Sequence, residues 1–477
     1  MTCWRARAVG GGGSDGALEP AVTTPLYPED PKPGTILAVG TRTRGGRIEL
    51  VSTPRPGEPT MRWQSQANSI DGIEKELVRI WAQPSAVAAV GGGGPDATGD
   101  ADAPRGRHVA ARTSVMNLVV IARHPELGER AGETINRLSG RHPSRTLVVL
   151  SADPDGPPWL EGRVQAYCIL PRADAPETCS EQIFLTAGGE TGRHLAALVT
   201  PLLVHDLPVT VWWPGEPPLE SAAARELLAG SDRLVVDGAS WAGDGLARLR
   251  ELAEVDMRFD RLAIRDFALV RQSRWREAIA TVFDLPEFLP YLGYLRRISV
   301  TYATHHATGD PGSTNVVKPL YHVAWLASRL GMRVMSPLTP VAVAAKPVKL
   351  RPGEKPPLHR GLSARLRSST GEVSVVMRPV ASPMPAGTTL RIELLAERRG
   401  QELRADVTAE ADNVQVHTWL DGVEAEDRTF RAPRRNDVDL LGEILEGNGH
   451  DRVGDEALRM AAMLAGTASH PRRVHPD

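Results

Sequence analysis

Hydrophobic residues are spread unevenly along the chain, and their spacing divides it into segments. Residues 1–60 carry Gly, Pro and Thr without sustained periodicity and predict a disordered leader. In the 61–84 segment, Ile70, Ile73, Leu77, Ile80 and Trp81 share one helical face. That predicts a short amphipathic helix, expected to dock on the chain's own core. The 85–108 segment, containing GGGGPDATGDADAP, predicts a Gly/Ala/Asp linker.

From 109 onward, short apolar runs alternate with helical spacing. NLVVIA at 117–122 and TLVVLS at 146–151 read as buried strands. Between them Leu127, Ala131, Ile135 and Leu138 recur at helical intervals, with Gly140 as a stop. A strand–helix–strand unit of this kind predicts a parallel pair with a right-handed crossover. Strands are expected at 164–170, 181–187, 209–213 and 233–237, with helices at about 192–204, 221–229, 245–254 and 274–284. The 109–290 segment therefore predicts a Rossmann-like layered α/β domain with a mostly parallel sheet.

Beyond Pro290 the period changes. A strand at 297–304 and a helix capped by Asn315 and closed by Gly331 are followed by two-residue alternation. Leu390, Ile392 and Leu394 alternate with Arg391 and Glu393, Val414 and Val416 alternate with Gln415 and His417, and Asp421-Gly422 marks a hairpin. The 291–447 segment predicts a smaller α+β domain with antiparallel strands and a short helix near 438–445. Residues 448–477 read as a fraying tail.

Composition adds exclusions. The 477 residues are 41% hydrophobic and 24% charged, with a formal net charge of −2, so no basic excess argues for a nucleic-acid partner. No window approaches ~20 uninterrupted apolar residues, so no membrane span is expected. The start, MTCWRARAVGGGG, lacks the apolar stretch of a secretory signal, and the expected compartment is the cytoplasm. Cys3, Cys168 and Cys179 have no CxxC spacing. Cys168 and Cys179 lie in strand-like apolar runs and read as reduced core thiols.

Reaction chemistry is hard to find. The GxGxxG at 11–16 follows no strand and opens no helix, and no P-loop, HExxH or GxSxG is present. His305-His306 lacks ligand-spaced thiolates, and Glu424 and Glu426 lie in a polar, loop-like stretch. The strongest anion candidate is GGETGRH at 188–194, between a strand and a helix, where bare amides and Arg193 could meet a sugar phosphate. Glu190 opposes that reading. The plainer alternative is a glycine turn capped by Thr191, with Arg193 in a salt bridge. No cofactor, metal or catalytic set is predicted.

Several segments in fixed order carry a resemblance: RTSVMNLVV at 112–120, RHPSR at 141–145, Gly192-Arg193-His194 followed by PLL and DLPVTVWWP, SRWRE at 273–277 with Phe283-Asp284, and VAWLASRLG at 323–331. Together they resemble the OpcA-type glucose-6-phosphate dehydrogenase assembly protein family, over about residues 112–445. The resemblance implies a non-catalytic partner that binds glucose-6-phosphate dehydrogenase, favours its active oligomer and supports the oxidative pentose phosphate pathway. Candidate contacts to that partner or to an anion are Arg112, Arg145, Thr191, Arg193, His194, Trp212, Trp213, Arg274 and Arg276, since Trp and Arg dominate interface hot spots. Trp212 and Trp213 alternate in direction on a strand, so one is expected in the core and the other toward a cleft or partner.

Overall fold

The computed structural model describes residues 40–42, 48–50, 57–82, 111–153, 155–170, 172, 178–305, 313–344, 358–410, 412–447 and 449–466. Most of the predicted leader and the 85–108 linker lie outside the described residues.

A ribbon of β1 (Gly40–Arg42) and β2 (Ile48–Leu50) precedes β3 (Pro59–Ala67), α1 (Ile70–Ala82) and β4 (Ala111–Arg112). The predicted strand–helix–strand unit follows as β5 (Met116–Ala122), α2 (Pro125–Leu138) and β6 (Ser144–Ala152), with β5 and β6 parallel. Next come β7 (Trp159–Ile169), β8 (Thr178–Gly188), two short helices α3 (Gly189–Arg193) and α4 (Leu195–Val199), and β9 (Val209–Trp213). The single helix expected at about 192–204 is thus broken at His194, whose backbone is non-helical. Then α5 (Ala222–Ala229), β10 (Arg233–Val236), α6 (Leu246–Arg258), β11 (Ala263–Asp266), α7 (Phe267–Val270) and α8 (Ser273–Thr281) complete the first layer.

These strands form one sheet in the order β11-β10-β9-β5-β6-β8-β7-β3, parallel from β11 through β8 and antiparallel at β8–β7 and β7–β3. The parallel strands are buried on both faces, as covering helices require. Leu118, Val120 and Val148 point into one core beneath α2, and Val119, Ile121 and Val149 point into the other. Helix α2 approaches closely because Gly132 carries no side chain: a Cβ there would lie 2.9 Å from Phe184 Cζ and from Gln182 Nε2. Helix α1 docks on the same sheet through Ile73, Leu77 and Ile80, all buried.

The second sheet is built from β12 (Leu295–Thr304), then, after α9 (Val317–Arg329), β13 (Arg333–Ala344), β14 (Leu358–Ser368), β15 (Gly371–Ala381), β16 (Thr389–Arg398), β17 (Gln401–Glu410), β18 (Asn413–Leu420) and β19 (Val423–Arg431). Their order is β13-β14-β15-β12-β16-β17-β18-β19, antiparallel except where β12 lies parallel to β15. The predicted hairpin at Asp421-Gly422 forms, with φ of 50° and 78° as a two-residue type I′ turn needs. Glu424 and Glu426 therefore lie on strand β19 and not in a loop. Both edges of this sheet are blunted: β13 contains Pro337, Pro340 and register shifts, and β19 is charged on both faces.

Two helices close the fold, α10 (Asp437–Glu446) and α11 (Arg452–Ala465). Helix α10 starts with a capping box between Asn436 and Asp439. Helix α11 replaces the expected fraying tail: Ala457, Leu458, Ala461 and Leu464 are buried. Its sequence, RVGDEALRMAAMLA, has the helical spacing of a docked helix, and α6 and α9 supply the surface it covers. One apolar cluster runs unbroken from Trp63 to Leu464 and includes residues of both sheets.

Candidate functional site

The most polar interior lies where the carboxyl ends of β10 and β11 meet the start of α9. Each strand leads into an aspartate, Asp237 directly after β10 and Asp266 as the last residue of β11. Asp237 receives both terminal nitrogens of Arg271, at 2.6 and 2.9 Å, and accepts from the Ala239 amide at 3.2 Å. Asp266 is fully buried; its Oδ1 accepts from the amides of Gly238 (2.9 Å) and Ala268 (2.8 Å), and its Oδ2 from the Tyr321 hydroxyl (2.9 Å). Burial, reinforced by the charge of Asp237, pushes the Asp266 carboxyl up to about 7, against the pull of its three donors. Asn315 fastens α9 to this corner by donating to the carbonyls of Gly238 (2.9 Å) and Trp241 (3.0 Å) while accepting from the Val317 amide (3.0 Å).

Cations gather around these acids. Burial, with Arg271 and Arg434 nearby, pulls the Lys318 ammonium down to about 8. His322 is buried and packed against Trp275 with ring centroids 5.2 Å apart. Burial, with Arg276 and Lys318, holds it down to about 3, so it is neutral at physiological pH. Beside them is a cleft of about 50 Å³ lined by Asp266, Arg276, Tyr321, Glu443, Asp451 and Leu458. Acids and bases face one another across it, and a cleft of this size has room for only a few waters. The arrangement suits a structural joint between layers better than a reaction centre.

The predicted contact residues are scattered. Trp212 and Trp213 do point in opposite directions, but both are buried, which corrects the expectation that one faces a cleft or partner. The reason is position: β9 lies in the middle of a sheet covered on both sides. Trp212 meets Phe267 in one core and Trp213 lies in the other. Arg145 is also buried, ion-paired with Glu181 at 2.6 Å and donating to the Leu202 carbonyl at 3.0 Å. Arg276 turns inward to the Leu269 carbonyl at 2.8 Å. Arg112 has its backbone in β4, beside β8, and its side chain lies outside the described residues. Arg274 is exposed beside Glu277, at 2.7 Å.

At the glycine turn, Arg193 and His194 converge on Glu190, whereas Thr191 lies inside α3 and is not its cap, which corrects that expectation. The Gly189 amide is occupied by the Asp153 carbonyl at 3.0 Å. Glu190 takes His194 at 2.8 Å and Arg193 at 3.5 Å, and Asp155 takes Arg193 at 3.1 Å. The thiol expectation is corrected as well: Cys168 and Cys179 form a disulfide. Antiparallel pairing of β7 with β8 sets the two cysteines directly opposite, a relation that their sequence spacing does not reveal.

A Rossmann-like sheet raises the question of a dinucleotide, whose pyrophosphate rests on a glycine turn between the first strand and helix. The turn here is Ala122-Arg123-His124-Pro125-Glu126. It has no glycine, Pro125 offers no amide, and Glu126 stands in the first helical turn. These residues do not fit that group. Among the described residues, no helix is long and apolar enough to cross a membrane. Sequence reasoning passed over Asp237, Asp266, Arg271, Lys318 and Tyr321; the available signal was that the sequence runs of two neighbouring parallel strands, RLVVD and RLAIRD, both end in aspartate.

A layered parallel sheet joined to a large, mainly antiparallel one is thus the class of protein that the geometry defines. Two family models match in succession, the glucose-6-phosphate dehydrogenase subunit N-terminal domain over residues 135–254 and its C-terminal domain over 262–458. The chain belongs to this OpcA family of glucose-6-phosphate dehydrogenase assembly proteins. It is 26% identical over 333 residues to a Synechocystis protein and 26% identical over 202 residues to one from Synechococcus elongatus, both named "Putative OxPP cycle protein OpcA". Those alignments cover 67% and 42% of this chain, and the chain spans 62% and 42% of the two relatives. Among solved structures, the transcriptional regulator Gal80p of Kluyveromyces lactis aligns at TM-score 0.40 with 11% identity, over 74% of this chain and 88% of Gal80p. An oxidoreductase domain protein from Kribbella flavida aligns at 0.39 with 12% identity, over 74% and 96%. Likeness at that level carries no argument about activity.

Proposed function

We propose that this chain is a non-catalytic partner of glucose-6-phosphate dehydrogenase in the oxidative pentose phosphate pathway, acting in the cytoplasm by binding the enzyme and favouring its active oligomer. The observation that carries the reading is the ordered match of both family domains over most of 135–458. The interior chemistry agrees with it. The titratable groups at the carboxyl ends of β10 and β11 bind one another, and the strand–helix turn that would hold a dinucleotide carries Pro125 and Glu126 instead of glycines. Binding of this kind acts through differential affinity for two states of the enzyme. The test is to titrate the purified chain into the dehydrogenase while recording initial velocity against glucose 6-phosphate and the oligomer by light scattering. A lower KM or a higher kcat, together with a larger assembled species, is expected. Unchanged velocity and unchanged assembly across substrate and salt would sink the proposal.

A further inference from the structure

Among the described residues, the helices that contact the second sheet pack on one of its faces. Its apolar face, with Ile298, Val300, Val375, Ile392 and Val407, packs in the main core, and α8, α9 and α11 contact the sheet from that side. The alternate residues of each strand point the other way and are mostly exposed or half-buried. Cross-strand register strings them into rows: Val376, Ser299, Glu393, Asp406, His417 and Asp427 face outward side by side. Half-buried Val376, Leu395 and Trp419 give this face an apolar component.

Charge divides the face in two. On the half formed by β13, β14, β15 and β12, the outward charges are Arg297, Arg333, Arg365, Arg367 and Arg378 against Glu372 alone. On the half formed by β16 to β19, carboxylates predominate: Glu393, Glu397, Glu402, Asp406, Glu424 and Asp427 outnumber Arg391, Arg404 and Arg431. Several polar atoms on the same face are also buried without a hydrogen-bond partner among the described residues: Ser299 Oγ, Arg378 Nε, Arg391 Nε and Asp406 Oδ1. Orphaned polar atoms are uncommon in finished interiors, and here they line an outer surface.

We propose that this face is a self-complementary interface that binds a second copy of the same chain, face to face. A twofold axis lying between the faces and running along the strands, over the β12–β16 boundary, exchanges the two halves. Each basic half then covers the partner's acidic half. An axis across the strands would stack like on like, so the charge division selects one of the two arrangements. Eight strands about 4.8 Å apart and roughly 30 Å long give a face on the order of 1,000 Å², enough for the ~800 Å² per partner of a standard interface. The inference does not depend on the proposed role toward the dehydrogenase, because it concerns the isolated chain.

Sedimentation of the purified full chain over a concentration series tests it, with two charge-reversed variants at exposed positions: Arg365→Glu with Arg367→Glu, and Glu424→Arg with Asp427→Arg. The wild type is expected to dimerise, with its dissociation constant rising about tenfold or more between about 50 and 500 mM salt. Each variant, folded by circular dichroism, is expected to be monomeric where the wild type is dimeric. An equimolar mixture of the two variants should dimerise again, because each reversed half meets an oppositely reversed one. A wild type that stays monomeric throughout overturns the proposal, as does a dimer indifferent to the reversals or a mixture that does not reassociate. A monomeric wild type whose retention by glucose-6-phosphate dehydrogenase is abolished by the reversals would overturn it in favour of the enzyme as occupant.

Discussion

Asp266 shows how much one buried carboxyl can impose. Its ordinary value near 3.8 rises to about 7 in the fold, chiefly through burial and then through Asp237. Between those two values the native chain holds a proton that the unfolded chain has released. Stability therefore falls as pH rises from about 4 to 7, and the penalty is constant above that. Asp266→Asn should remove this dependence while keeping the network, because Oδ1 still accepts from Gly238 and Ala268 and the new amide can donate to the Tyr321 oxygen. The variant's advantage over the wild type should grow with pH to an upper bound on the order of 4 kcal/mol by pH 8. Urea midpoints at pH 5 and pH 8 check this. A difference between variant and wild type that does not change with pH would show that Asp266 is not the group responsible. Arg145 and Arg276 teach a related lesson. In sequence they looked like surface hooks, whereas the fold spends them on Glu181 and on backbone carbonyls. A guanidinium inside and one outside are written with the same letter, and only the partner tells them apart.

At the scale of elements, periodicity was an adequate guide where one face is apolar. It placed α1, the β5–α2–β6 unit, the helix that follows Asn315 and the hairpin at Asp421-Gly422, although the N-cap of that helix is Val316. It could not place relations between elements. The β7–β8 pairing that joins Cys168 to Cys179 is long-range information, and so is the central position of β9 that buries both Trp212 and Trp213. Helix α11 is a different case. Its pattern was present in the sequence but lay next to a polar C-terminal stretch, and the whole segment read as a tail. Three arginines now hold the ends of these last helices: Arg233 on the carbonyls of Ile444 and Gly447, Arg265 on Gly449 and Arg250 on Ala465. A chain ending at 450 loses the burial of Leu458, Met460 and Leu464, worth about 1.5–3 kcal/mol per large side chain. Set against a typical margin of about 5–15 kcal/mol, that loss should leave the shortened protein largely unfolded by circular dichroism. A chain ending at 467 should melt like the full one. Equal melting of both truncations would mean that α11 contributes nothing to the core.

For the whole molecule, the apolar cluster shared by the two sheets matters most. Helix α11 contacts β11 of the first sheet and β13 of the second, so the pair should unfold together. Calorimetry of the full chain should give a single transition whose calorimetric and van't Hoff enthalpies agree. Two separated transitions would mean that the shared core is energetically divisible. The borders of the second sheet carry a further consequence. Prolines interrupt the hydrogen-bonding rim on β13, and charged side chains of both signs lie on both sides of β19. An incoming strand from another molecule would meet prolines that offer no donor on one edge and charged side chains costly to desolvate on the other. Both borders of the second sheet thus discourage lateral recruitment into fibrils, and removing the prolines of β13 is the change that would open an edge to cross-β growth.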